Sequence, residues 1–263
     1  MEILLTNDDG INSEGLWAIA ETLKNIGKVT IVVPDRDQSG TGASMSLLKP
    51  LTVEKVAPKI TKIEDVYTVD GTPADCVIMA NELLIKSPID LVVSGINQGA
   101  NLGLDILNSG TFGAALHGYF RNINSMAVSV KYDAKGVINF PSAKIGASIA
   151  EKILNNQWDH KMLLNINCPP CEMDQIEGIE TTTLASKAYL ESVQAIQNGR
   201  RTNYWLRHTN VAKEQPLNGS DVDAINRNCV SITSINPFMK DRNALIEDQN
   251  IIQDLKKMFL TEL

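Results

Sequence analysis

The chain has 263 residues, 43% of them apolar, and a formal net charge of −7. That length and apolar share suit a globular protein with a sizeable core. The acidic balance argues against a protein that grips a nucleic-acid polymer by its phosphates, which takes many Lys and Arg contacts. It leaves small anionic substrates open, provided a metal supplies positive charge locally. The first apolar run, Glu2-Ile3-Leu4-Leu5-Thr6, reads as a short buried strand closed by Asn7-Asp8-Asp9-Gly10. A helix is expected from Ser13 onward, and a second strand over 28–33 ends at Pro34. Residues 73–85 read as a helix with Pro73 in its first turn, where a missing N–H costs nothing. Residues 89–94 form an apolar run of the kind found in the middle of a parallel sheet. A helix over 110–119, a strand over 125–130, a helix over 141–154 and a strand over 162–167 follow. In the last of these helices Ile145, Ile149 and Ile153 recur at helical spacing. This alternation predicts an α/β fold with a doubly wound, mostly parallel sheet.

The character changes near residue 176. Thr181-Thr182-Thr183-Leu184 and the stretch around Asn198-Gly199-Arg200-Arg201 suggest two strands joined by a turn, Asn-Gly being a strong hairpin signal. Residues from about 178 to 215 are therefore read as an excursion from the core, an arm suited to self-association. A helix over 221–225 and a strand over 229–233 return to the core. The tail, about 240–263, carries Ile251, Ile252, Leu255 and Phe259 in an amphipathic pattern that suits docking on a neighbouring subunit. With no repeat or flexible linker, one domain over 1–263 with an appendage is expected.

No apolar run approaches the roughly 20 residues needed to span a bilayer. The N-terminus lacks the basic and small-residue pattern of a signal peptide. A cytoplasmic protein without membrane contact is the expectation. Cys76 and Cys229 lie in apolar segments and read as small core residues. Cys168-Pro169-Pro170-Cys171 follows a strand rather than opening a helix, so it reads as a strand-end turn with incidental thiols. A structural zinc site would need a second such pair.

The chemistry gathers at the strand ends. Asp8 and Asp9 are adjacent carboxylates where open α/β sheets bind ligands, and their mutual repulsion favours recruiting a cation. Three loops belong with them: Asp37-Gln38-Ser39-Gly40-Thr41-Gly42, the segment from Ser94 to Gly103, and Asn108-Ser109-Gly110-Thr111-Phe112-Gly113. The oxygen donors are Asp8, Asp9, the Ser39 hydroxyl and the Asn97 amide oxygen, a set that suits Mg²⁺ or Mn²⁺. His117, His160 and His208 show no metal-ligand spacing. Ser109-Gly110-Thr111 at a helix start offers N–H groups and a positive dipole end to a phosphate. Gly40 and Gly42 let the backbone approach closely. Each fragment alone also fits an ordinary turn or cap. Asp75 fits a helix cap, and His117 a helix face without a catalytic role. Their shared location at one end of the sheet is what points to a single site.

Together these motifs resemble the SurE family of stationary-phase survival proteins, metal-dependent 5′/3′-nucleotidases. The resemblance is carried by Leu4 to Gly10 with Gly15, Val33 to Gly40, Gly71 to Val77, Ser94 to Gly103, and Ser109-Gly110-Thr111. Ser220-Asp221 and Val230-Ser231-Ile232-Thr233 also match. The chain departs from the family pattern at Asn108, Phe112-Gly113, His117 and Asn167-Cys168-Pro169. The resemblance implies a Rossmann-like fold with a protruding hairpin and an exchanged C-terminal tail, in a homodimer or homotetramer. It implies one divalent ion per subunit on Asp8, Asp9, Ser39 and Asn97. It implies phosphate release from nucleoside 5′- and 3′-monophosphates, with short polyphosphate as a further substrate in some members.

The catalytic candidates are thus Asp8, Asp9 and Asn97, and the substrate-contacting candidates Gly40, Asn101, Ser109, Gly110 and Thr111. Attack by water and attack by an Asp both remain open. One rival is a non-catalytic nucleotide-binding regulatory protein, which two carboxylates facing a phosphate disfavour. A nicotinamide-dependent dehydrogenase is disfavoured because no G-x-G-x-x-G follows the first strand.

Overall fold

The computed structural model describes residues 1–132, 139–156, 160–186, 190–198, 201–209 and 217–237. The first apolar run is β1 (Glu2–Thr6), wholly buried. It is followed by α1 (Glu14–Leu23) and β2 (Lys28–Pro34). After β3 (Val53–Lys55) and β4 (Val66–Val69), α2 (Pro73–Met79) opens on a capping box between Thr72 and Asp75. The helix expected over 73–85 is α-helical only to Met79, and Ala80–Leu84 widens into a π turn. The alternation continues through β5 (Leu91–Gln98), α3 (Gly110–Phe120), β6 (Asn124–Val130), α4 (Asn139–Asn155) and β7 (Leu163–Cys168). Next come β8 (Gly178–Thr181), β9 (Leu190–Asn198), β10 (Arg201–Thr209), α5 (Asp221–Asn226) and β11 (Cys229–Ser234).

Among the described residues, nine strands form one sheet in the order β3-β4-β2-β1-β5-β6-β7-β11-β8. The run from β4 to β7 is parallel throughout. β3 is antiparallel at one edge, and β11 is antiparallel to β7. Alternate residues of β1 feed opposite cores. Ile3 and Leu5 pack with Leu16, Ile19 and Leu23 of α1 and Ile145 and Ile153 of α4. Leu4 packs with Cys76 and Val77 of α2 and Ala114 of α3. Each Leu, Ile or Val among them contributes about 1.5–3 kcal/mol by leaving water. Helices on both faces are why the central strands lack polar alternation.

β1 lies between β2 and β5. The chain winds from β1 outward through β2 to β4, then returns to lay β5 on the other side. That reversal opens a crevice at the C-terminal ends of β1 and β5, the expected binding place in such sheets.

Two expectations change. Residues 178–181 do not belong to an arm: β8 pairs in parallel with β11 in the main sheet, Gly178 opposite Cys229. The hairpin is β9 with β10, Asn198 pairing Arg201, and they form a separate two-stranded sheet. The strand expected over 89–94 runs on to Gln98, because Asn97 and Gln98 still pair with Ser129 and Val130 of β6. The amphipathic tail over 240–263 lies outside the described residues. All four cysteines are free. Cys168 ends β7 fully buried, and burial pushes its thiol up to about 12, the opposite of an activated thiol.

Candidate metal and phosphate site

The turn after β1 is built to hold two carboxylates. The Asn7 side chain donates from Nδ2 to the Gly10 carbonyl at 3.0 Å and accepts the Gly10 N–H through Oδ1 at 3.2 Å. Gly10 has φ +83°, and a Cβ there would sit 3.2 Å from the Pro34 carbonyl oxygen. Trp17 Nε1 donates to the Ile11 carbonyl at 2.7 Å and ties the next residues to α1. Asp8 is 3% exposed, and burial raises its pKa against the opposing pull of Thr111. Asp9 is pushed up to about 6, first by burial and then by the charge of Asp8. Two carboxylates that resist ionisation together define a place where a cation is favoured.

The loop after β2 and the end of β5 both reach this pair. Gln38 donates its main-chain N–H to the Asp8 carbonyl at 2.8 Å, which fixes the loop after β2 beside β1. Within that loop Ser39 donates its main-chain N–H to Asp37 Oδ1 at 2.7 Å, a turn that does not involve the Ser39 hydroxyl. Asp37 adds negative charge near both Asp8 and Asp9. From β5, the Gln98 main-chain N–H favours the ionised form of Asp9, one residue along the chain from Asn97. A register shift between Gly95 and Asn97 inserts one extra residue against β6, a bulge that re-aims Asn97. Asn97 Nδ2 donates to the Gly99 carbonyl at 2.6 Å, which turns its Oδ1 away from that contact. Among the described residues no three of His, Cys, Asp and Glu gather at metal-binding distance. Two carboxylates with neighbouring neutral oxygens are a hard donor set, the chemistry that would suit Mg²⁺ or Mn²⁺ better than zinc.

The start of α3 meets the same pair at Asp8. The Ser109 hydroxyl accepts the Phe112 N–H at 3.1 Å as a helix cap. Thr111 donates its hydroxyl to Asp8 Oδ1 at 2.5 Å, and its main-chain N–H also favours charge on Asp8. Thr111 thus serves the carboxylate before any phosphate. Gly110 presses on the same residue: a Cβ there would meet Asp8 Cβ at 2.8 Å. Gly113 packs as tightly on the loop after β2, with the Gly42 carbonyl oxygen 2.3 Å from a built Cβ. Gly40 has φ +77° and open space around it. His117 is buried, and its Nε2–H donates to the Ala43 carbonyl at 3.1 Å, so it fastens this loop to α3 rather than facing the cleft.

Asn101 sits on the loop after β5, its main chain and side chain tied to Ser129, Asn165 and Asn167. Sequence reading missed those three. A signal existed in Leu163-Leu164-Asn165-Ile166-Asn167, where two carboxamides share one face of a buried strand. Asp221 was also undervalued. It is fully buried and accepts the Gly103 N–H at 2.7 Å and the Ala185 N–H at 2.9 Å.

The profile described as "Survival protein SurE" matches residues 3–191. The chain belongs to the SurE family. A SurE relative from Dehalococcoides mccartyi, named 5'-nucleotidase SurE, is 45% identical over 91% of this chain and 92% of its own. Another of that name from Vibrio cholerae is 41% identical over 89% of this chain and 91% of its own. The crystal structure of the SurE protein from Aquifex aeolicus superposes with a TM-score of 0.82 at 33% identity, covering 95% of this chain and 99% of that one.

Proposed function

We propose that this SurE chain is a divalent-metal-dependent phosphomonoester hydrolase that releases phosphate from nucleoside 5′-monophosphates, and from 3′-monophosphates and short polyphosphate as further substrates. The observation that carries the reading is the pair Asp8 and Asp9 at the β1–β5 crevice, facing the N-terminus of α3. The relatives named 5'-nucleotidase SurE support the reaction class.

Asp8, Asp9, Ser39 and Asn97 would hold one Mg²⁺ or Mn²⁺ per subunit. The chemistry such an ion supplies is polarisation of a phosphoryl oxygen and a lowered pKa for water. Gly40, Ser109 and Gly110 line the phosphate side, and the α3 dipole favours the charge that grows on the phosphoryl oxygens. Thr111 holds Asp8 in place, and Asn101 contacts the remainder of the substrate. Asp9, less buried than Asp8, is the better placed of the two to orient or deprotonate an attacking group.

The deciding assay is phosphate release from a panel of nucleoside monophosphates, with and without Mn²⁺ or Mg²⁺. Metal-dependent turnover is expected. Nucleotide binding without turnover under every metal would instead favour the regulatory reading. Asp9→Asn should abolish metal-dependent turnover and leave the circular-dichroism spectrum unchanged; full activity in that variant, or in excess EDTA, rejects the site.

We read the chain as one domain that assembles into a homodimer or homotetramer. Support comes from β9 and β10, where Val193, Tyr204, Trp205 and Leu206 are all more than half exposed. Among the described residues no helix is long and apolar enough to cross a membrane. Four free thiols suit a reducing compartment, and on that ground we infer a cytoplasmic location.

A further inference from the structure

Asn165 and Asn167 stand two apart on β7, so their carboxamides share one side of the sheet. Both are fully buried, as is Ser129, which pairs beside Asn167 on β6. All three serve a single residue of an irregular loop. Asn101 donates its main-chain N–H to Asn167 Oδ1 at 2.8 Å. Its carbonyl accepts from Asn165 Nδ2 and Asn167 Nδ2, each at 2.9 Å. Its own Nδ2 donates to Ser129 Oγ at 2.9 Å. Burying three polar side chains carries a desolvation cost that apolar packing at the same positions would avoid. Asn165 Oδ1 has no hydrogen-bond partner in the structure. The arrangement gains little as core packing and a great deal as a clamp.

We propose that Ser129, Asn165 and Asn167 are positioning residues that fix Asn101 for the substrate without touching the substrate themselves. This rests on the reading of Asn101 as a substrate contact. The clamp saturates the main chain of Asn101, so only its carboxamide is presented to a ligand. Ser129 fixes the direction of that carboxamide by holding Nδ2. Ser129 pairs with Asn97 across β6 and β5 through the main chain, and that pairing does not use the hydroxyl that holds Asn101. Gly99 donates its N–H to the Val130 carbonyl at 2.9 Å and anchors the chain between Asn97 and Asn101. Loosening the clamp therefore weakens substrate binding and leaves metal affinity alone.

The test compares Ser129→Ala, Asn167→Ala, Asn101→Ala and the double variant S129A/N101A. The readouts are KM and kcat on a nucleoside monophosphate with Mn²⁺, Mn²⁺ affinity by calorimetry without nucleotide, and thermal unfolding. Ser129→Ala removes one oxygen from a small side chain, so it keeps the question answerable if Asn167→Ala fails to fold. It should raise KM about fivefold, the scale of one neutral hydrogen bond, with kcat and Mn²⁺ affinity unchanged. In the N101A background the same substitution should add nothing. A wild-type KM in Ser129→Ala while Asn101→Ala raises KM overturns the clamp and leaves the substrate role of Asn101 standing. A wild-type KM in Asn101→Ala removes that role, and the purpose of the clamp with it. A parallel loss of Mn²⁺ affinity in Ser129→Ala shows general loosening of the cleft and also overturns the proposal.

Discussion

Asp8 is held from two sides by the start of α3. Thr111 donates to its Oδ1, and Gly110 leaves no room for a methyl group beside its Cβ. Gly110→Ala should therefore displace Asp8 or the start of α3. The expected cost is about 1–3 kcal/mol of stability, as for other overpacked sites, with kcat/KM lowered by roughly tenfold or more because a small misplacement in a catalytic site is expensive. Urea unfolding and steady-state kinetics check the two parts. Gly40→Ala is the control: open space surrounds that position, but φ +77° disfavours a side chain. It should lose stability through backbone strain of about 1 kcal/mol, without a clash to move Asp8.

One guanidinium bridges α5 and the outermost strand. Arg227, just after α5, donates from Nη1 and Nη2 to the two carboxylate oxygens of Glu180 on β8, at 2.7 and 2.6 Å. The same Nη2 reaches Asp223 Oδ2 at 2.9 Å. Arg227 holds both carboxyls below the usual range. Groups with depressed folded-state pKa values stabilise the fold above their unfolded values, near 4, and that contribution fades as pH falls through the folded ones. Arg227→Ala should lower the melting midpoint modestly at pH 7, since exposed ion pairs are weak. The gap between variant and parent should shrink toward pH 3 in a melting series, and a gap that widens there would contradict the assignment. The hairpin makes a second test at this level. Val193 pairs with Leu206 and Ala195 with Tyr204, so these side chains share one exposed apolar face. Leu206→Asp should shift light-scattering mass toward smaller species if that face joins subunits.

For the protein as a unit, the crevice predicts that metal and fold are linked. A ligand bound only by the native state stabilises it by about 2.7 kcal/mol at a hundred times its Kd. Mn²⁺ should therefore raise the melting midpoint, EDTA should reverse the rise, and Asp9→Asn should show little of either. Much of this was open to reading in the residues alone. Asn7 to Gly10, Ser39, Asn97 and Ser109 to Thr111 each combine a strand end or helix start with turn chemistry, and such signals need only a few neighbours in the chain. Short runs ended by turn residues likewise disclosed β1, β2, β6 and β7, and the helical spacing of Ile145, Ile149 and Ile153 disclosed α4, because each pattern needs only near neighbours. Other features had no local signature. The bulge before Asn97 exists only in register with β6. β8 joins the main sheet only because β11 arrives later to pair with it. Asn101 is held by Asn165 and Asn167, more than sixty positions away. Local pattern sets which segments become strands and which side chains can bind or cap. Closing the chain over long distances sets which strands become neighbours, and therefore which buried polar groups meet.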